Sequence, residues 1–411
     1  MTNVRIMLAC NSGLWRGVDL DFDVIIAGAG PAGSTTARFC GKKGLKTLLV
    51  ERDRFPRYKP CGGCLSPRVL REVDFDIGGV IENATSEAKF TCRLEDPFSM
   101  VCQDPIGYLV TRASFDHLLW RKALEGGADL SEGRRVVGFR QDPEGVDVSI
   151  EGGKVLRCRY LVGADGARST VARSLLGGVT KKAGMAFETE TRMAPEMGEG
   201  WPFVHLDFGS VPHGYGWIFP KGNLVSMGIC ALFPSKGMKL RSRFDRFAGC
   251  VDYIRGGRVE RARFHPLPTF FGDTMSPSGG RVLLVGDAAN LINPMTGEGI
   301  YYAIRSGKMA GEAVVKAITE GHKGIGWYQE ALRRTLFQDL EVALTLAKVV
   351  YRFPKVAYTV LKSSEDLRFL YRDIWAGNAR YELFSRKMAD GLRRTLGGKI
   401  PAMVTMSSPV D

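Results

Sequence analysis

Apolar residues are spaced in three different ways along the chain, and each spacing predicts a different kind of element. Short unbroken apolar runs cover Val24 to Ala27, Tyr160 to Val162 and Val282 to Val285, and Leu45 to Val50 is apolar apart from Lys46 and Thr47. Runs of this length next to glycine or charge predict buried parallel strands. Between Lys181 and Asp273 the spacing becomes alternation, as in "FVHLDFGSV", "GYGWIFPKG" and "LVSMGICALF". Period-2 stretches bounded by Gly and Pro predict antiparallel strands. From Ile325 onward, apolar positions recur every three or four residues with Lys and Arg between them, which predicts helices.

The turns that follow the unbroken runs carry the first chemistry. In "FDVIIAGAGPAGSTTARFCGKKGLKTLLVERD", Gly28, Gly30 and Gly33 complete G-x-G-x-x-G, and a helix follows from about Pro31 to Gly41. Gly28 permits a tight turn, Gly30 lets the backbone approach a pyrophosphate, and Gly33 lets the helix pack close to the strand. The helix N-terminus offers N–H groups to phosphate. Glu51 ends the next strand, about 20 residues on, where a carboxylate accepts ribose hydroxyls and would repel a 2′-phosphate. A glycine-rich turn without a ligand has no need of this strand, helix and acid together.

Two later segments separate one dinucleotide from another. "YLVGADGARSTVAR" carries Gly163, Asp165, Gly166 and Arg168 after a strand. "GRVLLVGDAANLINPMTGEGIYYAIRSG" carries Gly286 and Asp287 after a strand, then a turn with Pro294, Gly297 and Gly299 that opens a helix starting near Gly299. Asp287 is placed to bind a ribityl hydroxyl, and the helix to aim N–H groups at a flavin carbonyl. No second complete dinucleotide fingerprint is present, so a nicotinamide donor would have no Rossmann domain of its own.

The three motifs, in this order and spacing, resemble the FAD-dependent oxidoreductases built like the aromatic hydroxylases, over most of the chain up to about residue 330. The stretch "RYKPCGGCLSPRVL" narrows this, because "YKPCGG" is similar to the geranylgeranyl reductases, which saturate double bonds in isoprenoid chains. The resemblance implies FAD as cofactor, with contacts from Gly28, Gly30, Ala32, Gly33, Glu51, Arg52, Cys61, Gly62, Arg112, Asp165, Gly286, Asp287, Gly297, Gly299 and Ile300. Taken alone, Arg112 at the start of a helix reads as a solvated charge. The resemblance makes it the arginine that approaches the flavin.

The expected fold is α/β: a Rossmann-like FAD-binding domain, an inserted antiparallel-sheet substrate domain and a C-terminal helical region. The FAD-binding domain is expected over 21–82, 104–178 and 276–330. The sheet domain is expected over 83–103, which includes "FTCRLEDPFSMVCQD", and 179–275; the helical region is expected over 331–411. Within the sheet, Tyr215, Trp217 and Phe219 project from one face of a strand. By periodicity alone that face reads as core. The resemblance makes Tyr-x-Trp-x-Phe-Pro a wall of the substrate cavity, with Tyr215, Trp217 and Cys61 as the catalytic set.

An isolated C=C needs hydride on one carbon and a proton on the other, and an isoprenoid offers almost no polar handle. Positioning must then come from shape and aromatic burial. Cys61 and Tyr215 are the proton-donor candidates in the sequence. Cys61-x-x-Cys64 also raises metal or redox-disulfide readings. Zinc would need two more ligands, and the five histidines, His117, His205, His213, His265 and His322, are scattered, so no metal is expected.

Composition adds the setting. Nine cysteines without a disulfide framework suggest a reducing compartment. "IMLAC", ending at Cys10, lacks the apolar run of a lipoprotein signal. No apolar run approaches the roughly 18 residues that span a bilayer. A net charge of +13 favours anionic lipid or a pyrophosphate ligand over nucleic acid, for which no module is present. The expected place is the cytoplasm, peripheral on the inner face of the membrane. The external electron donor is expected to be NADPH or reduced ferredoxin, and the partner a prenyl lipid, prenyl diphosphate or prenylated pigment or quinone. Two other readings are a flavin monooxygenase or halogenase acting on an aromatic or polyketide substrate, and a non-catalytic prenyl-binding carrier.

Overall fold

A computed structural model describes residues 20–177, 183–193, 203–235, 237–251, 256–272, 280–321 and 326–396. Cys10, His322 and Ile325 lie outside the described residues, as does 397–411.

The unbroken apolar runs meet in one seven-stranded sheet. Phe22–Ala27 lies parallel to Thr47–Glu51 on one side and to Lys154–Gly163 on the other. Asp129–Glu132 extends the edge beyond Thr47–Glu51. The Lys154–Gly163 strand does two jobs. Its first half pairs antiparallel with Val146–Ile150, and its second half runs parallel to Val282–Leu284. The predicted strand from Leu45 starts two residues later, because the Leu45 N–H still bonds to the Cys40 carbonyl at the exit of the Pro31–Lys42 helix. Gly44, with φ +79°, makes that exit turn.

The alternating segments build a second seven-stranded sheet, ordered Arg258–Leu267, Gly184–Arg192, Leu224–Ala231, Gly214–Lys221, Phe203–Phe208, Glu87–Cys92, Glu95–Val101. One pairing departs from the antiparallel expectation: Phe203–Phe208 runs parallel to Glu87–Cys92. These strands come from separate stretches of chain, so no hairpin imposes an antiparallel arrangement. One face of this sheet packs Phe187, Ile218 and Met227 against the Leu240–Gly249 helix. Gly216 is needed there, since a Cβ would fall 2.7 Å from the Phe247 ring. The other face carries Phe90, Phe208 and Trp217.

A small third sheet joins Cys64–Leu65, Gly107–Val110 and Ile81–Thr85. The helices Gly326–Leu332 and Gln338–Val350 are joined by a π-helical turn over Arg333–Phe337. Pro354–Ser363, Glu365–Ala376 and Tyr381–Leu396 follow. Tyr351, Tyr358, Tyr381 and Phe384 from this region share one apolar cluster with Phe90, Phe208 and Trp217. The C-terminal helices therefore roof the aromatic face of the second sheet.

Candidate active site

A cavity of about 730 Å³ runs between the ends of the first sheet and the roofed face of the second. Its first part is built by the glycine-rich turn. Gly28 sits at φ +98°, and a Cβ there would lie 2.5 Å from the Ala164 carbonyl oxygen. Gly33 is equally constrained, 1.8 Å from the Gly28 carbonyl oxygen by the same measure. Gly30 is different. A Cβ on it would meet nothing closer than Arg57 Nη2 at 3.8 Å. Packing within the protein does not require glycine there, whereas a group pressed against the backbone from the cavity does. The Pro31–Lys42 helix opens at this point with no side-chain cap, which leaves its first N–H groups to a ligand. Ala32 lies in its first turn and lines the same space.

Glu51 is fixed at the end of its strand. Its Oε2 accepts from the Ala29 N–H at 2.7 Å and its Oε1 from the Asp53 N–H at 3.0 Å. Both oxygens keep a lone pair, and the residue lines the cavity. Arg52 also lines the cavity, with a largely exposed side chain near Asp53. Asp165 holds the next helix rather than standing free. Its Oδ1 accepts from Ser169 Oγ and its Oδ2 from the Thr170 N–H at 2.7 Å. It lines the cavity beside Ala164 and Gly166.

Arg112 is no solvated charge. It is 5% exposed and grips Asp116 through two bonds of 2.7 Å. Arg57 reaches the same carboxylate at 3.0 Å. Burial opposes the Arg112 charge, but the Asp116 carboxylate outweighs it and holds the guanidinium well above its usual range. One carboxylate thus balances two guanidinium groups, and the wall keeps a positive surplus. Lys59 stands on the same wall, paired with Asp287 at 3.7 Å and 3.4 Å from His265 Nε2. Burial lowers the Lys59 pKa, with Asp287 opposing. Burial, then the cations Lys59 and Arg112, push His265 down to about 2. Such a wall suits a pyrophosphate.

The segment from Gly286 to Ile300 closes the far side. Gly286, at φ +55°, packs against Ala32 and Ala303, so the first helix and the Ile300–Thr319 helix approach closely. Asn293 Oδ1 accepts from the Met295 and Thr296 N–H groups and shapes the turn. Gly297 needs its freedom: at φ +70°, a Cβ would sit 2.8 Å from the Tyr215 hydroxyl. Gly299 caps the Ile300–Thr319 helix without a side-chain hydrogen bond. Glu298 is buried between Arg68 and Ser66.

The aromatic strand forms the opposite wall. Tyr215, Trp217 and Phe219 all line the cavity, their ring centroids 6.2 and 6.5 Å apart in sequence. Core and cavity are not alternatives here: Trp217 is 6% exposed and belongs to the apolar cluster under the roof. Its indole N–H donates to Ser226 Oγ at 3.2 Å. The Tyr215 hydroxyl donates to the Thr296 carbonyl at 2.6 Å, and burial pushes its pKa well above the usual range. Gly62 lies directly over the strand, where a Cβ would be 2.9 Å from the Phe219 ring. Cys61 and Cys64 are both free thiols. The Gly63 N–H donates to Cys61 Sγ at 3.4 Å. Burial, then Glu298, push the Cys64 thiol up to about 12, the opposite of an activated thiolate. No group of three or more metal-ligating side chains occurs among the described residues.

The sequence reading missed Arg57, Asp116, His265, Glu188, Lys221 and Glu298 at this site. Asp116 had a signal, four residues after Arg112 on one helix face. Glu298 lay inside the "TGEG" turn. Glu188, Lys221 and His265 had none, because cross-strand pairing brings them to the cavity from three separate strands.

Residues 21–194 match the FAD binding domain family. The chain is 32% identical over 311 residues to the menaquinone reductase of Mycolicibacterium smegmatis, covering 71% of this chain and 75% of that one. It is 31% identical over 320 residues to the geranylgeranyl diphosphate reductase of Rhodobacter capsulatus, covering 74% and 77%. A solved structure, a geranylgeranyl bacteriochlorophyll reductase-like protein from Thermoplasma acidophilum, superposes with TM-score 0.72 at 22% identity over 92% of this chain and 99% of that one. The backbone of Gly30 open to the cavity, the uncapped helices and the cationic wall fit the FAD that this domain family binds. Cavity, motifs and relatives agree: the chain belongs to the geranylgeranyl reductase family and is an FAD-dependent oxidoreductase.

Proposed function

We propose that the protein reduces carbon–carbon double bonds in an isoprenoid chain carried by a prenyl lipid, prenyl diphosphate or prenylated quinone or pigment. One observation carries this reading. The same cavity is cationic and glycine-lined at one end and apolar at the other, where Phe90, Leu206, Phe208, Met295, Tyr351 and Trp375 face one another. An aromatic hydroxylation or halogenation substrate needs polar groups to orient its ring, whereas a prenyl tail needs only shape. The two relatives described above are named as reductases of menaquinone and of geranylgeranyl diphosphate, which supports the reading.

When bound, reduced FAD supplies hydride. The chain's own residues do the rest. Gly28, Gly30, Ala32, Gly33 and Glu51 receive the nucleotide half, with Arg52 at the rim. Arg112, Asp165, Gly286 and Asp287 would hold the middle, and Gly299 and Ile300 would present N–H groups to the ring end, while the Gly297 N–H closes the turn on the Asn293 carbonyl at 2.9 Å. Cys61 and Gly62 press the ring end from the loop. Tyr215 and Trp217 shape the slot for the tail, and their burial excludes water from the reacting carbons. The ring face of Trp217 stabilises positive charge that develops on carbon.

The electrons come from NADPH or reduced ferredoxin, and a titration with each distinguishes them. The protein works in the cytoplasm, peripheral on the inner membrane face. No helix among the described residues is long and apolar enough to cross a membrane. Val101 and Phe369, 71% and 44% exposed, stand near the roof. There Arg372 and Trp375 line the cavity, and the Arg372 guanidinium lies 5.0 Å from the centre of the Phe369 ring. A tail can enter at such a rim. The test is anaerobic incubation of the dithionite-reduced protein with a panel of prenyl compounds, read by mass spectrometry. A gain of two hydrogens per reduced bond is expected, and no gain across the panel overturns the reading.

A further inference from the structure

Glu188 stands on the Gly184–Arg192 strand, 2% exposed, in the wall of the cavity. A carboxyl group in so apolar a place needs a reason. Its strand places it opposite Gly228, and Gly228 is also opposite Trp217 on the next strand. Gly228 has no side chain, and the Trp217 indole fills that space. A Cβ on Gly228 would lie 2.2 Å from Trp217 Cζ2. Glu188, Gly228 and Trp217 thus form a row across three strands, and both Glu188 and Trp217 belong to the cavity wall.

The two carboxyl oxygens differ. Oε1 accepts from the Tyr58 hydroxyl at 3.0 Å. Oε2 has no partner at hydrogen-bond distance and angle among the described residues and almost no exposed surface, although the Cys61 N–H lies close enough to the carboxyl to favour its charge. Lys221, 2% exposed, comes from the aromatic strand, but its Nζ bonds to the Cys61 carbonyl at 3.4 Å and forms no ion pair with Glu188. A carboxylate would leave a lone anionic oxygen in that position, whereas a carboxylic acid leaves an O–H. Burial raises the Glu188 pKa, and Glu190 adds to this. Lys221, the Cys61 N–H and the Tyr58 hydroxyl oppose it without reversing the direction. Arg261 faces the far side of Tyr58, its guanidinium 4.7 Å from the centre of that ring.

We propose that Glu188 is the acid that supplies the proton in the reduction, and that Tyr58 replenishes it. The inference rests on the isoprenoid reading above. The Glu188 O–H bond breaks, and its proton forms a C–H bond with the π electron pair at one alkene carbon. The positive charge left on the other carbon, facing Trp217, is quenched by hydride from reduced FAD, which forms the second C–H bond. Glu188 is left as a carboxylate. It takes a proton from the Tyr58 hydroxyl, and Tyr58 takes one from water at the rim. Tyr215 does not serve this step, because its proton is held by the Thr296 carbonyl.

Glu188→Gln keeps the shape and the hydrogen bond from Tyr58 but carries no acid proton. In anaerobic single turnover, flavin reoxidation by a prenyl substrate should slow about a hundredfold or more, with FAD affinity and flavin absorbance unchanged. Independently of turnover, infrared difference spectra of wild type minus Glu188→Gln should show the C=O band of a protonated carboxyl. A rate within twofold of wild type, or absence of that band, overturns the proposal. Should Glu188→Gln fail to fold, Tyr58→Phe reads the same relay. Its first turnover should keep the wild-type rate and later turnovers should slow; an unchanged steady-state rate overturns the proposal. If wild type reduces no prenyl compound, the isoprenoid reading has failed, and the infrared band still decides the state of Glu188.

Discussion

The Tyr215 hydroxyl donates to the Thr296 carbonyl at 2.6 Å, which ties the aromatic strand to the turn that opens the Ile300–Thr319 helix. The bond joins the wall of the apolar slot to the segment proposed to hold the flavin ring. Tyr215→Phe keeps the ring and removes the tie. Net stability should fall by about 1 kcal/mol, and FAD should bind severalfold more weakly. Urea unfolding and a flavin fluorescence titration check the two effects.

Trp217 and Gly228 offer a steric test of the slot. Gly228→Ala pushes a methyl group into the Trp217 ring. Turnover of a prenyl substrate should drop tenfold or more, while the flavin spectrum stays as in wild type. Trp217→Ala should likewise keep FAD and impair turnover. It also opens a cavity in a shared cluster, at a cost of about 3–5 kcal/mol. Loss of flavin in both variants would show that the strand supports the cofactor rather than the substrate.

The Arg112 pair predicts a coupled defect. Arg112→Met leaves Asp116 buried, with Arg57 still 3.0 Å away. Breaking a buried pair costs roughly 3–5 kcal/mol, and the remaining guanidinium keeps the loss near the low end. Adding Asp116→Asn should recover part of it. A double-mutant cycle by chemical denaturation measures the coupling.

Acid should weaken the fold through His205. It is 3% exposed, with Nε2 2.8 Å from Thr91 Oγ1. Burial, then Lys89, push its pKa down to about 4. The native state holds this imidazole neutral, whereas the unfolded chain protonates it near pH 6.5. The stabilisation is therefore complete above pH 6.5 and is lost as pH falls from there toward 4, amounting to roughly 3 kcal/mol. His205→Gln should flatten that part of the stability–pH curve, as measured by urea midpoints at successive pH values.

The nucleotide end of the site was legible because its parts are local. Gly28, Gly33 and Glu51 follow one another through a single strand–helix–strand unit, and each answers to a constraint within it. Local periodicity likewise predicted that Tyr215, Trp217 and Phe219 share a face. Periodicity could not tell what that face meets, because the answer lies far along the chain in Tyr351 and its neighbours. Glu188 was invisible for the same reason. An acid within "MAFETETR" looks like a polar position on a half-exposed strand until Gly228 and Trp217 are placed beside it. Arg112 was misread by its local sequence, since only the fold shows Asp116 and Arg57 closing around it.

Three tyrosines from three parts of the chain hold the segment 293–298. Tyr215 bonds to Thr296, Tyr351 donates to the Met295 carbonyl, and the Tyr381 hydroxyl accepts from Asn293 Nδ2 at 3.2 Å. Two of the three come from the C-terminal helices, so loading and loosening are linked across the molecule. Anything that steadies this segment from the nucleotide side should also stabilise the C-terminal helices bonded to it. A protease that nicks the C-terminal helices should therefore act as a clock for cofactor occupancy, running slowly on the yellow protein and fast on the colourless one.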